Sequence, residues 1–123
     1  MSIIYKVVRP DMKSAFAPGS FCCQYAIGCK TEAPTEVAPL LAFRRLKDAR
    51  LFVEIESGLT TLTILRGTTT GRARQVKRVV ACEDRRPDLI RRWWDGIKST
   101  VATRPAPRGT IAVPDFTPIG IVG

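Results

Sequence analysis

LLAFRRLKDARLFV, residues 40–53, contains the change of period on which the fold turns. Leu40-Leu41-Ala42-Phe43 is a short uninterrupted apolar run, the pattern of a buried strand. From Phe43 onward the apolar residues fall at Phe43, Leu46, Ala49, Phe52 and Val53, which is one stripe of a helix. Arg44, Arg45, Lys47, Asp48 and Arg50 cover the opposite face, and Gly58 supplies a C-terminal stop. A buried strand running straight into an amphipathic helix implies a sheet with a helix packed on it.

Working toward the N-terminus, Ile3-Ile4-Tyr5-Lys6-Val7-Val8 is β-branched and aromatic and predicts a first strand, ended by Pro10-Asp11. Residues 11–20, with Pro18-Gly19, read as a loop. Phe21, Cys23, Tyr25 and Ile27 alternate with Cys22, Gln24 and Ala26, predicting a second strand stopped at Gly28. Residues 31–39 form a polar, proline-bounded connection. Toward the C-terminus, residues 60–66 and 75–82 read as two strands of a hairpin around the loop Gly67-Thr68-Thr69-Thr70-Gly71. That loop is not a P-loop, since neither Gly-Lys-Ser/Thr nor a helix follows it. Leu89, Ile90, Trp93, Trp94 and Ile97 make an apolar stripe, predicting a helix over 87–98 with Pro87 in its first turn. Residues 104–109 read as a linker, 110–113 as a short edge strand before Pro114, and 116–123 as a tail docking on the body. The sum is a single α+β domain over residues 1–123. It has two layers, a mainly antiparallel or mixed sheet of about five to six short strands, and two helices.

Several function classes are excluded at this level. A 123-residue chain with 45% hydrophobic and 25% charged residues is neither collagen-like nor mostly disordered. No apolar run reaches the ~18–20 residues of a membrane span, and the N-terminus lacks a signal-peptide layout. There is no histidine, so Ser-His-Asp, Cys-His and HExxH chemistries are absent. The expectation is a non-enzyme with no catalytic residue, no cofactor and no metal. The cysteines, Cys22, Cys23, Cys29 and Cys82, show no CxxC spacing and read as reduced structural thiols of a cytoplasmic protein.

The charge is regional. Of the net +9, residues 1–65 carry +2 and residues 66–108 carry +8. On a strand, Arg72, Arg74 and Arg78 would share one face with about 7 Å between neighbours at i and i+2, close to the phosphate spacing of one nucleic-acid strand. Lys77 would lie on the opposite face, and the following helix adds Arg85, Arg86, Arg91 and Arg92. Trp94 beside Arg91 and Arg92 is either core or a stacking surface. These nine residues form the candidate binding site, for a nucleic acid or an acidic protein surface. The bland reading of the same charge is an edge strand kept soluble by arginine.

Tyr5-Lys6-Val7-Val8-Arg9, Tyr25-Ala26-Ile27-Gly28, Leu41-Ala42-Phe43, Ala49, Phe52, Trp93-Trp94 and Pro107-Arg108-Gly109-Thr110 together resemble a class of small, uncharacterised proteins of tailed phages and prophages. The doubled tryptophan and the four cysteines depart from that pattern. The resemblance implies a phage or mobile-element origin and carries no chemistry. The expected function is that of an accessory protein in the host cytoplasm, monomeric or a small homo-oligomer, that binds a nucleic acid, a nucleoprotein such as a host defence complex, or an acidic partner. Two alternatives stand beside it. One is a virion or assembly component. The other is a degenerate nucleotide-binding domain, since Arg9 with Glu54-Ile55-Glu56 resembles the arginine and Glu-x-Glu of ADP-ribosyltransferases; here the Ser-Thr-Ser between them is missing.

Overall fold

A computed structural model describes residues 2–14, 23–33, 39–56, 61–80, 87–96 and 103–122. Among these, the elements run β1 (Ser2–Val8), β2 (Thr31–Glu32), β3 (Leu40–Phe43), α1 (Leu46–Glu56), β4 (Thr63–Thr69), β5 (Arg74–Gln75), β6 (Arg78–Val80), α2 (Pro87–Trp94), β7 (Thr103–Pro105), β8 (Thr110–Val113) and β9 (Asp115–Val122). The fold is α+β. Its main sheet has seven antiparallel strands in the order β2-β9-β4-β1-β3-β8-β5, more than the five or six expected, and β6 pairs with β7 separately.

The alternation along β1 builds two cores. Ile4 and Val8 face one side, where they pack with Tyr25, Leu40, Ala42, Leu65, Ile111, Val113 and Phe116. Tyr25 and Phe116 meet edge to face, with ring centroids 5.9 Å apart. Lys6 lies on this face too, only 8% exposed, and its ammonium donates to the Leu41 carbonyl. Val7 and Tyr5 face the other side, which α1 covers. There Ala49 is fully buried, and Phe43, Leu62 and Ile64 pack with Leu46, Phe52 and Val53. The helix stripe read from the sequence is the packed one, except that Phe43 closes β3 and α1 starts at Leu46. The Arg45 carbonyl accepts from the N–H groups of Asp48 and Ala49, which starts the helix.

Several expectations are corrected. The hairpin of 60–66 with 75–82 does not form, because both edges of β4 are taken: β1 pairs along its whole length and β9 holds the other side. Gly67, Thr68 and Thr69 therefore extend β4 instead of forming a loop. Residues 74–80 run antiparallel to 103–112 instead, broken into β5 on β8 and β6 on β7. Pro105 and Pro107 lack N–H donors, and Gly109 turns at φ +80, so the ladder cannot be continuous there. The supposed linker 104–109 thus contains part of a strand, and β8 is interior, between β3 and β5. The tail is an eight-residue strand, β9, between β2 and β4.

The strand predicted over 21–27 is also absent where described. Residues 21 and 22 lie outside the described residues, and 23–29 make only the isolated bridges Lys13↔Gln24 and Ala26↔Cys29. Gly28, at φ +81, turns the chain there and leaves Ile27 in solvent, although Tyr25 is buried as its position in the alternation implied. Finally, α2 stops at Trp94. Gly96 takes φ +79 and its N–H bonds the Trp93 carbonyl, a left-handed cap that ends the helix before 98. Positions 97 and 98 lie outside the described residues.

Gly67 sits in mid-strand for a packing reason. A Cβ there would lie 2.7 Å from the Phe116 ring and nearer still to the Thr117 carbonyl oxygen. Gly67→Ala should therefore lower stability in urea unfolding by about 1–3 kcal/mol, the range for overpacking a filled core. A loss within experimental error would mean that the Phe116 ring does not rest on this strand.

Candidate anion-binding site

β8 and β9 are one segment bent at Pro114, and the two edges of the main sheet, β5 and β2, come together at that bend. β5 pairs with β8 at Arg74↔Ala112, just before Pro114. β2 pairs with β9 at Glu32↔Asp115, just after it, and the Ala33 N–H bonds the Pro114 carbonyl at 2.8 Å. A cleft of about 380 Å³ opens at this seam. Arg72 and Arg74 line it from the β5 side, Glu32 and Ala33 from the β2 side, with Pro39 and Pro114 between.

The turn carrying Arg72 is held by Asp115. Its carboxylate accepts the Thr70 N–H at 2.8 Å and the Thr70 hydroxyl as well. Gly71 lies against Pro114 so closely that any side chain would strike the proline ring. Asp115 is 5% exposed. That burial alone would push its carboxyl up, but the two Thr70 bonds, the field of Lys30 and the Thr69 hydroxyl together hold it below the ordinary value. Asp115 therefore stays ionised at the seam with its oxygens engaged by Thr70. Glu32 is met by Lys30 at 3.5 Å.

Arg72 and Arg74 are both exposed, and among the described residues neither has a carboxylate within ion-pair distance. Arg74 is fixed from behind: its guanidinium lies over the Trp94 ring, 5.8 Å from the centroid, and Trp93 packs edge to face on Trp94 at 4.7 Å. The structure thus joins Arg72, Arg74 and Trp94. It does not join Arg78 to them. With the strand broken after Gln75, Arg78 belongs to β6, where its Nε donates to the Thr103 hydroxyl at 3.2 Å, so the shared face of three arginines is corrected to a pair. Lys77 is exposed between β5 and β6, and Arg91 and Arg92 are exposed on α2. Arg85 and Arg86 lie outside the described residues.

No family model matches the chain, and no curated protein or solved structure matches it. Among the described residues no group of three potential ligands is placed to hold a metal, and no helix is long and apolar enough to cross a membrane. Cys23 is half-buried and Cys29 exposed; Cys22 and Cys82 lie outside the described residues. Glu54 and Glu56 occupy the last turn of α1, and Arg9 pairs with Asp11 at 3.5 Å.

Sequence reasoning missed Glu32, Pro39, Pro114 and Asp115. One signal was available: Asp115 is the lone charged residue from 109 to 123, set between Val113 and Phe116 in an apolar stretch. A carboxylate in such company needs donors.

The lowered carboxyl of Asp115 sets a pH dependence. A group depressed in the folded state contributes stability above its unfolded pKa, and that contribution is lost as pH falls through the folded value. Asp115→Asn, which keeps one acceptor, should cost about 1–3 kcal/mol near neutral pH. The gap to the wild type should narrow as the pH is lowered through the acid range below the ordinary carboxylate value. A gap independent of pH in denaturant titrations would contradict the ionised latch.

Proposed function

We propose that this protein is a small non-enzymatic accessory protein that binds a polyanion, a nucleic acid in the first place, through the arginines at the β5 edge. The observation that carries the reading is the pair Arg72 and Arg74. They sit together at the seam without carboxylate partners among the described residues, and one of them is braced on Trp94. Exposed arginines usually find a nearby acid or scatter; two at one cleft in a region of net +8 create a local positive field with forked donors suited to phosphate. Arg91 and Arg92, exposed on the helix that carries Trp94, extend the same field. Binding rather than catalysis is supported by the missing histidine. A phage or mobile-element origin, with action in the host cytoplasm, is supported by the short sequence resemblances.

Fluorescence anisotropy of a labelled single-stranded oligonucleotide tests this across a salt series. Log affinity should fall linearly with log salt, and the double variant R72Q/R74Q should flatten the slope by about one for each arginine. R78Q, outside the cleft, should change it less. An acidic polypeptide that displaces the oligonucleotide at matched charge concentration would transfer the site to an acidic protein. A slope unaltered in R72Q/R74Q would leave the two arginines as solvated edge charges.

A further inference from the structure

The cleft at the seam has two chemically different walls. Arg72 and Arg74 stand on the β5 side; Glu32, exposed and with one oxygen 3.5 Å from the Lys30 ammonium, stands on the β2 side. Apolar Pro39 and Pro114 lie among its lining. A surface meant only to track a phosphate backbone gains nothing from a carboxylate facing its arginines, because the carboxylate repels the polyanion. A ligand carrying an anion at one end and hydroxyl donors at the other uses both walls. The volume, about 380 Å³, falls within the range of small-ligand sites of roughly 300–1,000 Å³.

We propose that this cleft binds a phosphorylated ribose unit: its phosphate held by the forks of Arg72 and Arg74, its sugar hydroxyls donating to Glu32. Carboxylates recognise ribose hydroxyls in this way because an ionised carboxylate only accepts, and two neighbouring hydroxyls can donate to its two oxygens. Asp115 is the weaker competitor for the hydroxyls, since it is only 5% exposed and each of its oxygens already accepts from Thr70. The inference rests on the anion-binding reading of Arg72 and Arg74 and goes beyond it by giving Glu32 a positive role. The unit has two possible sources, a free ribonucleotide or the phosphorylated 5′ end of an RNA.

Isothermal titration with AMP, adenosine and inorganic phosphate, and with an RNA oligomer bearing either a 5′-phosphate or a 5′-hydroxyl, tests it. AMP should bind about tenfold or more tighter than either adenosine or inorganic phosphate. E32Q should remove most of the advantage of AMP without weakening inorganic phosphate, which loses a repelling neighbour. R72Q/R74Q should weaken both, with an unchanged far-UV spectrum, since these side chains are exposed. Preference for the 5′-phosphorylated oligomer over AMP would assign the site to RNA ends, and the converse to a free nucleotide; either supports the proposal. Inorganic phosphate binding as tightly as AMP, or E32Q matching the wild type toward AMP, would overturn it. An oligomer that binds with the expected salt slope but is indifferent to its 5′-phosphate, with no AMP binding, would overturn the cleft site and leave the polyanion reading standing. AMP binding without any oligomer binding would overturn the polyanion reading alone.

Discussion

Between Val113 and Asp115 the chain has one residue, Pro114, in which to leave one flank of the sheet and join the other. β8 pairs with β3, and β9 pairs with β4; β1 lies between. In a flat sheet the two flanks would be four strand spacings apart, about 19 Å. They would also be offset lengthwise, since Val113 is level with Val8 through Leu40, whereas Asp115 lies beyond the level of Ser2. That adds about 20 Å, against a reach of about 7 Å for two residues. The sheet has to roll until these diagonal corners meet. Proline suits the corner because it has no N–H to leave unpaired where the ladder changes flank. The latch between Asp115 and Thr70, the contact of Gly71 with Pro114 and the bond from Ala33 to Pro114 all hold that one corner.

Rolling has consequences for the interior. It encloses the face of β1 that carries Ile4, Lys6 and Val8, and it brings Phe116 across β4 onto Gly67. A buried phenylalanine contributes about 1.5–3 kcal/mol through the area it removes from water, provided nothing strains its placement. Glycine at 67 removes the strain at the cost of backbone entropy. Lys6 is the discordant member. Its aliphatic stem fits the apolar interior, and its ammonium is directed at the Leu41 carbonyl, with the Tyr25 ring 5.8 Å away. Outside the roll, α1 approaches closely because Ala49 presents only a methyl group to the sheet. The same helix tucks buried Asp48 against Gly109, where no side chain would fit.

Much of this was legible in the chain where one period dominates and both faces have distinct fates. β1, β3 and the packed stripe of α1 are local patterns, and they came through with shifts of a residue or a few. The Leu89, Ile90, Trp93, Trp94 stripe placed α2 as well, and only the left-handed cap at Gly96 was overlooked. What failed was pairing. Residues 60–66 and 75–82 look like a hairpin because sequence proximity favours short loops, yet β4 has no free edge once β1 and β9 have claimed it. Residues 110–113 read as a short edge strand before Pro114, and 116–123 as a docking tail, because no local pattern shows that both flanks of these segments pair. Pro118 is accommodated inside β9, where the register with β4 shifts between Arg66 and Gly67 and the proline faces Gly67. Of the candidate site, the arginines were visible as composition. Their opposite wall was not, because Glu32 and Asp115 reach the seam only through long-range pairing.

That long-range character bears on how the seam works. β5 is held to β8 by two residue pairs and braced by Arg74 on Trp94; β2 is held to β9 by two pairs. Such short edges have few backbone bonds to lose, so they belong to the least protected part of the sheet. β1 pairs with β4 over seven residues and β3 with β8 over four, so these interior ladders do not depend on the two-pair edges. A ligand gripped by Arg72 and Arg74 on one edge and by Glu32 on the other would link the two where no direct bond joins them among the described residues. Its differential affinity for the closed seam over the loosened one sets how far it can tighten the edges. The cleft is therefore a consequence of the roll: a sheet turned by a single proline brings its two short edges together, and the space left between them is lined by whatever charges those edges carry.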